Sequence, residues 1–205
     1  MHMITLYTLG SLSPNIRKVT IMLAETALPY TAHVLEKHSG HTTAAEFSRI
    51  NPNATVPAIV DPDTGSTLFE SGAILYYLAE KSRQLLPAEL PRRADVMKWL
   101  MFESANMGPV MGELFHYMLD DEALAAKHLQ RYKNKIAQYC SILDQQLAAR
   151  EYLCDDYSIA DIALYPWTAI LSDMADVDLD NFKNLNRWSA MIGKRAAVHL
   201  ATGPS

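Results

Sequence analysis

The first residues whose types could do chemistry lie in the turn at residues 10–15, Gly-Ser-Leu-Ser-Pro-Asn, between a predicted strand and a predicted helix. The N-terminus of a helix has free backbone N–H groups and the positive end of the helix dipole, which stabilise an anion such as a thiolate. The hydroxyl of Ser13 and the amide of Asn15 are placed to donate a hydrogen bond to sulfur. From this turn alone, helix capping by Ser13 and a turn role for Asn15 are favoured.

The dipeptide Val56-Pro57 is a second candidate site, in a predicted strand. Proline has no N–H group, so within a sheet it marks an edge or a special geometry. A cis bond here would leave backbone groups of Val56 free at the sheet edge, where an extended peptide could pair with them by strand addition. The alternative is a trans proline on an edge strand, since cis bonds are a small minority of X–Pro bonds.

Glu70 and Ser71, at the start of a later predicted helix, form a third candidate site. Ser71 is a good N-cap residue, and the free N–H groups of its helix would hold a carboxylate. The carboxylate of Glu70 beside it could hold an ammonium group. An α-amino acid end carries both groups on one carbon and would satisfy both partners, while capping alone is the commoner role of such a pair.

These three signals are weak singly, but together they describe one ligand. It is a peptide thiol with an α-amino acid head, docked along a sheet edge with its sulfur at a helix N-terminus. Glutathione has this structure, so the sequence predicts a glutathione site.

Two other groups of residues lack the partners that a catalytic or metal site needs. His41 and a second loop histidine have no carboxylate or thiol beside them, so no metal site is predicted. Ser158 and Asp161 have the spacing of a helix capping box, and neither a histidine nor a nucleophile elbow supports a hydrolase.

The elements that position the candidate site are predicted from hydrophobic periodicity in the first part of the chain. Short strands and amphipathic helices alternate there in the order βαβαββα. This order predicts a compact α/β domain with a mixed four-stranded sheet over residues 1–82. All three segments of the candidate site lie within this domain.

The remainder of the chain is predicted to be helical. Residues 83–91 contain two prolines and read as a linker. Apolar residues recur at three- and four-residue spacing through residues 92–205, which predicts an all-helical bundle domain. Pro109 lies inside the first of these helical segments and should kink it, since proline cannot donate to the preceding turn.

Composition and charge exclude several classes of protein. The 205-residue chain has a formal net charge of −5 and scattered basic residues, so no nucleic-acid surface is predicted. No stretch looks apolar enough to span a bilayer, and no signal peptide is recognised at the start. Cys140 and Cys154 are too few and too far apart for a disulfide framework. We therefore expect a cytoplasmic protein without a membrane partner.

Three segments resemble motifs of the glutathione transferase family. Residues 51–61, Asn-Pro-Asn-Ala-Thr-Val-Pro-Ala-Ile-Val-Asp, resemble the stretch around its cis-proline. Residues 68–74 resemble its γ-glutamyl site, and residues 157–162 resemble the capping motif of its helical domain. The resemblance runs from Ile4 to about Val198. It implies a thioredoxin-like N-terminal domain, an enzyme with glutathione as co-substrate, and a homodimer.

The resemblance implies a role for each residue of the γ-glutamyl and cysteinyl contacts. Val56 would pair through its backbone with the cysteinyl moiety, beside a cis Pro57. Glu70 and Ser71 would hold the γ-glutamyl group.

Three further binding residues follow from the same resemblance. Thr55 and His41 fall where the family places contacts to the glycyl end. Arg131 begins an Arg-Tyr pair that resembles one in the bacterial nu class, whose arginine faces glutathione.

The turn at residues 10–15 bears on the subtype, because the family activates sulfur with a Tyr, Ser or Cys in this region. The turn has no cysteine, and Ser11 lies where the cysteine-type bacterial members carry theirs. Ser13 and Asn15, in Ser-Pro-Asn, resemble the Thr-Pro-Asn turn of the nu class, which is associated with disulfide-bond reduction. The catalytic candidates are Ser13, Asn15 and Ser11, and Tyr7 stays open as an alternative donor.

Our hypothesis from sequence is an enzyme that holds glutathione as the thiolate. Ser13 would donate to the sulfur and Asn15 would order the site. The thiolate would attack an electrophilic carbon, as in detoxification, or a small disulfide. Two alternatives remain open: a glutathione- or ligand-binding protein that catalyses little, and an interaction module with a degraded glutathione site.

Overall fold

The computed structural model describes residues 2–9, 13–35, 45–117, 122–175 and 177–202. The chain forms two compact units, Met1–Leu86 together with Ala196–Ser205, and Pro87–Arg195. In the described residues, no helix is both long enough and apolar enough to cross a membrane.

The first unit opens with the α/β elements that the sequence predicts. They are β1 (Ile4–Leu9), α1 (Pro14–Thr26), β2 (Tyr30–Leu35), α2 (Ala45–Ile50), β3 (Ala58–Asp61), β4 (Ser66–Phe69) and α3 (Ser71–Ser82). The strand order in the sheet is β2-β1-β3-β4. β1 runs parallel to β2, and β3 runs antiparallel to both β1 and β4. The mixed four-stranded sheet is therefore confirmed.

The register of the strands brings three chain segments to one end of the sheet. Tyr7 pairs with Ala58, and Ala58 in turn pairs with Phe69. Because β3 is antiparallel to both neighbours, β3 begins at the end of the sheet where β1 and β4 finish. The end of β1, the residues before β3 and the start of α3 therefore share that end.

Alternation along β1 explains how the sheet is covered. Ile4 and Leu6 point to one face and are both 1% exposed, as expected of a strand with one buried side. Tyr7 points to the other face, where it packs against a small cluster that contains Phe47 and Ala58. Both faces are thus covered, and the strand ends remain for the candidate site.

The second unit is helical throughout its described elements, as predicted. They are α4 (Leu90–Phe102), a π-helical segment (Glu103–Met107), α5 (Gly108–Tyr117), α6 (Glu122–Gln146), α7 (Ile159–Thr168), α8 (Leu171–Ala175), a short 3₁₀ helix (Leu179–Asn181) and α9 (Lys183–Gly193). Helix α4 begins at Leu90, within the predicted linker, with Pro91 in its first turn. Proline is tolerated there because that N–H has no intrahelical partner.

A π-helical segment lies just before Pro109, where the sequence predicts a kink. Pro109 cannot donate to the carbonyl four residues earlier, and its ring would clash there. The Gly108 N–H instead bonds to the Glu103 carbonyl, five residues back. A hydrogen bond between an N–H and the carbonyl five residues earlier defines a π-helix. The side chain of Glu103 is 2% exposed and accepts a hydrogen bond from Trp167 Nε1 at 2.8 Å.

The capping box predicted at the start of α7 is confirmed. The Ser158 hydroxyl accepts from the Ala160 N–H at 3.3 Å, and Asp161 Oδ2 accepts from the Ser158 N–H at 3.0 Å. Asp161 also accepts from the Leu153 N–H at 3.0 Å and from Trp188 Nε1 at 2.9 Å. The pair is a folding device, as its spacing indicated.

The last helix, α10 (Ala196–Thr202), belongs to the first unit. It packs against α1, and its residues Ala197 and Val198 are buried. The sequence-based division placed residues 196–205 in the helical domain. Periodicity marks a segment as helical but does not show which core its apolar face covers.

Candidate functional site

The N-terminus of α1 contributes Ser13 to the candidate site. Ser13 is the N-cap, and its Oγ accepts a hydrogen bond from the Ile16 N–H at 3.3 Å. Pro14 follows as the first helical residue, where no N–H is needed. The Ser13 hydroxyl accepts in this contact, so its own proton remains available for donation to a ligand. Capping and donation to sulfur are therefore compatible.

A polar cluster joins the N-termini of α1 and α3. Lys18 Nζ donates to Asn15 Oδ1 at 2.7 Å and to Ser71 Oγ at 3.3 Å. Ser71 Oγ also lies 3.4 Å from Asn15 Oδ1, to which it donates. The Lys18 residue is 1% exposed. The structure thus brings together two predicted site residues, 56 positions apart in sequence, around a buried ammonium group.

Lys18 is not among the site residues that the sequence predicts. A signal was present: Lys18 precedes Ile21 and Met22 by three and four residues, so it lies on the face of α1 that packs into the core. A lysine in such a position is rarely buried without polar partners. Those partners come partly from α3, which periodicity along α1 cannot reveal.

The N-terminus of α3 differs in detail from the prediction. Ser71 was expected to be the N-cap, but the N-cap is Glu70, and Ser71 is the first helical residue. The first intrahelical bond at this end runs from the Ile74 N–H to the Glu70 carbonyl at 2.9 Å. The N–H groups of residues 71–73 have no partner in the part of the chain that the structure describes. Three free donors at a helix N-terminus form a site for a carboxylate.

Glu70 has an unusual backbone and an uncommitted side chain. Its φ is +67°, which is uncommon for a residue other than glycine. Its exposed side chain makes no capping hydrogen bond to α3. The carboxylate is therefore available, beside the three free N–H groups, to bind a cation. Backbone strain of this kind is common at functional sites.

The bond between Val56 and Pro57 is cis, as predicted. Val56 precedes the first residue of β3, and its backbone N–H and C=O have no partner among the described residues. Thr55 beside it is held in place, because Asn51 Nδ2 donates to its carbonyl at 2.7 Å and to its Oγ1 at 3.2 Å. The Val56 backbone is thus presented at the end of the sheet on a fixed support.

The other residues that the sequence proposes for the site add little to its geometry. Ser11 and His41 lie outside the described residues. Arg131 lies on α6 in the second unit, with an exposed side chain. Tyr7, the alternative donor, has its ring 5.0 Å from that of His33 and 5.6 Å from that of Phe47. That packing places Tyr7 on the face of the sheet that Phe47 of α2 covers.

The protein's own thiols are poor nucleophiles. Burial raises the pKa of Cys140 to about 12, and burial, followed by the nearby Asp95 and Asp161 carboxylates, raises the pKa of Cys154 to about 12. A thiol with such a pKa is almost entirely protonated near neutrality. A thiolate used by this site must therefore come from a ligand. Among the described residues, no group of three potential metal ligands occurs.

Two family models match the chain. One is described as the glutathione S-transferase N-terminal domain and matches residues 12–81. The other is described as the glutathione S-transferase C-terminal domain and matches residues 126–190.

Relatives and solved structures agree with these matches. Disulfide-bond oxidoreductase YghU of Escherichia coli is 34% identical over 96% of this chain and 73% of its own, and YfcG is 34% identical over 92% and 90%. A glutathione transferase structure from Pseudomonas putida, with one glutathione disulfide bound per subunit, has a TM-score of 0.88 at 35% identity, covering 99% of this chain and 92% of its own. Ure2p in complex with glutathione has a TM-score of 0.92 at 27% identity, covering 98% of both chains.

Proposed function

The chain belongs to the glutathione S-transferase family, and from this premise we propose that it binds glutathione at the shared end of its sheet and activates the thiol. The observation that carries the proposal is that hydrogen-bond donors and a carboxylate are neighbours at the start of α3. Among the described residues, neither the N–H groups of residues 71–73 nor the neighbouring Glu70 carboxylate has a hydrogen-bond partner.

The γ-glutamyl end of glutathione matches this pair. Its α-carboxylate accepts hydrogen bonds from the N–H groups of residues 71–73, where the helix dipole adds to the attraction. Its α-ammonium group pairs with the Glu70 carboxylate, a charge-assisted hydrogen bond. The two contacts together select an α-amino acid end over a simple carboxylate or amine.

The middle of the tripeptide pairs with the backbone of Val56 by strand addition. Its N–H and C=O have no partner in the described part of the chain, which is what an extended peptide needs for a two-bond contact. With its backbone at Val56 and its α-amino acid end at α3, the cysteinyl sulfur is directed to the N-terminus of α1. The glycyl contacts of Thr55 and His41, and the role of Arg131, stay predictions.

The reaction that we favour is reduction of a small disulfide. The glutathione thiolate attacks one sulfur of the disulfide, forms a mixed disulfide and releases the other half as a thiolate. A second glutathione thiolate then attacks the glutathione sulfur of the mixed disulfide, giving glutathione disulfide and the second free thiol. Two relatives named disulfide-bond oxidoreductases support this reaction over conjugation to an electrophilic carbon, which would use the same thiolate.

The proposal includes a homodimer in the cytoplasm. Phe69 and Tyr76 are large side chains of the first unit that are 36% and 37% exposed, and such residues are enriched at subunit interfaces. Two free, buried cysteines suit a reducing compartment.

A coupled assay with 2-hydroxyethyl disulfide and glutathione tests the activity. We expect turnover by the wild-type protein and a loss on the order of 10²-fold in kcat/KM for Asn15→Ala, since one donor to a developing anion has this effect. Asn134→Ala, an exposed change on α6, is the matched control. Glutathione binding without turnover of any disulfide or electrophile would support the non-catalytic alternative.

A further inference from the structure

We propose that Lys18 is a positioning residue that fixes the Asn15 amide with its NH₂ group toward the thiol and links this amide to Ser71. The inference rests on the proposed function and adds a residue to it. Lys18 itself acts through Asn15 and does not contact the sulfur. The contacts of three side chains carry the argument.

The orientation of the Asn15 amide is determined by its neighbours. Asn15 Oδ1 accepts from Lys18 Nζ at 2.7 Å and is 3.4 Å from the donating Ser71 hydroxyl. Rotating the amide by half a turn would place its NH₂ group against an ammonium group, donor against donor. The oxygen must therefore face Lys18, and Nδ2 must face away from it.

The outward-facing Nδ2 has no hydrogen-bond partner among the described residues, and Asn15 is half-buried. It belongs to the first turn of α1, where the helix dipole already favours an anion. An amide NH₂ held in this place is a directed donor for a thiolate. An amide free to rotate would present its oxygen, which repels a thiolate, for part of the time.

A lysine suits this task because of its three donors and its single charge. Two of the donors are used by Asn15 Oδ1 and Ser71 Oγ. An ammonium group buried to 1% exposure is ordered, and its charge adds to the attraction for an anion nearby. A neutral side chain of this length could donate hydrogen bonds but would not add the charge.

The same contacts give Ser71 a second role. Its hydroxyl accepts from Lys18 and donates to Asn15, so the side chain is committed within the protein. Its backbone N–H remains for the γ-glutamyl carboxylate. Ser71 therefore belongs both to the backbone that would hold the amino acid head and to the side-chain contacts that orient Asn15.

The test is the pKa of glutathione bound to variants, measured from the ultraviolet absorbance of the thiolate against pH. In Lys18→Met we expect this pKa to rise by about one unit, which is about 10-fold less thiolate at a pH below both values. Lys18→Arg keeps the charge and should recover part of the shift. Asn15→Ala should raise the pKa by itself, and Lys18→Met should add little to it, since Lys18 acts through Asn15.

Lys81→Met is the matched control, because Lys81 is a shielded lysine of the same unit that pairs with Asp61 at 2.6 Å. It should lower stability and leave the pKa of the bound thiol unchanged. If Lys18→Met does not fold, Lys18→Gln provides the test: it keeps a polar side chain at this position, removes the charge and should raise the thiol pKa, and an unshifted pKa in this variant would overturn the role of Lys18.

Three outcomes separate the claims. An unshifted pKa in Lys18→Met, with a lowered pKa in the wild type, overturns the role of Lys18 and leaves the proposed function intact. If the pKa shifts of Lys18→Met and Asn15→Ala add fully in the double variant, the role of Lys18 is also overturned, because additive shifts show that the two residues act independently. A wild-type protein that does not bind glutathione overturns both the proposed function and the inference.

Discussion

At the scale of single residues, the candidate site consists of groups whose hydrogen-bonding capacity the protein does not use. The Glu70 carboxylate, the Val56 backbone and the amide NH₂ of Asn15 have no partners among the described residues. Val56 and Asn15 are half-buried, where polar groups are normally paired, so their unused capacity at one end of the sheet indicates a ligand, and the exposed Glu70 carboxylate adds a charge beside them. The charges of these groups are complementary to those of glutathione.

Glu70→Gln tests the ammonium contact. The charge of Glu70 acts on the bound substrate and on the transition state alike, so we expect KM for glutathione to rise about 10-fold with kcat little changed. Steady-state kinetics with varied glutathione measures both constants. Glu113→Gln, an exposed change of the same charge, is the control. A fall in kcat at unchanged KM would contradict the assignment.

Glu70→Gly tests whether the positive φ at this position is a functional compromise. Glycine adopts a φ of +67° with much less strain, so we expect the free energy of unfolding to increase by about 1 kcal/mol. Urea unfolding measures this gain, and a titration with glutathione should show weaker binding by the same variant. A Gly variant that is less stable than the wild type would argue against strain at Glu70.

At the scale of elements, the strands and helices of the first unit follow from periodicity, but their ends do not. The positive φ at Glu70, which makes Ser71 the first helical residue, is a backbone feature that a side-chain pattern does not encode. The burial of Lys18 depends on Ser71, which is 53 residues away in sequence. A kink is predicted at Pro109, but the π-helical segment before it, with its Gly108 N–H to Glu103 carbonyl bond, is a backbone feature that periodicity does not encode.

Asp161→Asn tests the capping box of α7. This carboxylate accepts hydrogen bonds from several donors, including Leu153 N–H, Ser158 N–H and Trp188 Nε1. An asparagine would turn one NH₂ group toward donors, and we expect a loss of about 2–4 kcal/mol in unfolding free energy. Chemical denaturation measures it, with the exposed Asp173→Asn as control. A loss no larger than that of the control would contradict the structural role.

The β3–β4 hairpin gives a prediction for pH dependence. Burial alone would raise the pKa of Asp61, but hydrogen bonds from Lys81, Tyr77 and the Asp63 N–H together hold it below its ordinary value of 3.8. A carboxyl with a lowered pKa in the folded state contributes stability above its unfolded pKa and loses it as pH falls through the folded pKa.

Unfolding free energy should therefore fall as pH drops below about 4, and this fall should be shallower in Asp61→Asn. Urea unfolding at a series of acidic pH values measures both slopes. Asp173→Asn should keep the wild-type slope. Equal slopes for Asp61→Asn and the wild type would show that this carboxyl does not govern acid stability.

At the scale of the whole molecule, the assignment of both regions to one family could be predicted from ordered motifs. We propose that the motifs of residues 51–61 and 68–74 serve the glutathione site, and the capping box serves the fold of the second unit. The place of α10 in the first unit could not be predicted, because a helical pattern does not identify its packing partner. The disulfide or electrophile that the enzyme accepts is not encoded in these motifs.

The two cysteines provide a prediction for the whole chain. Because burial raises the pKa of both thiols to about 12, we expect the native protein to react very slowly with a thiol reagent at neutral pH and both cysteines to react after denaturation. Mass spectrometry after alkylation counts the modified residues. Rapid native labelling that abolishes activity would implicate a protein thiol in the chemistry.

The central claim is that this protein binds glutathione and lowers the pKa of its thiol. A pH titration of thiolate absorbance, with glutathione and the wild-type protein at saturating binding, tests it most directly. We predict that bound glutathione titrates at least about one unit below the free thiol. Bound glutathione with an unshifted thiol, or no binding at all, would contradict it.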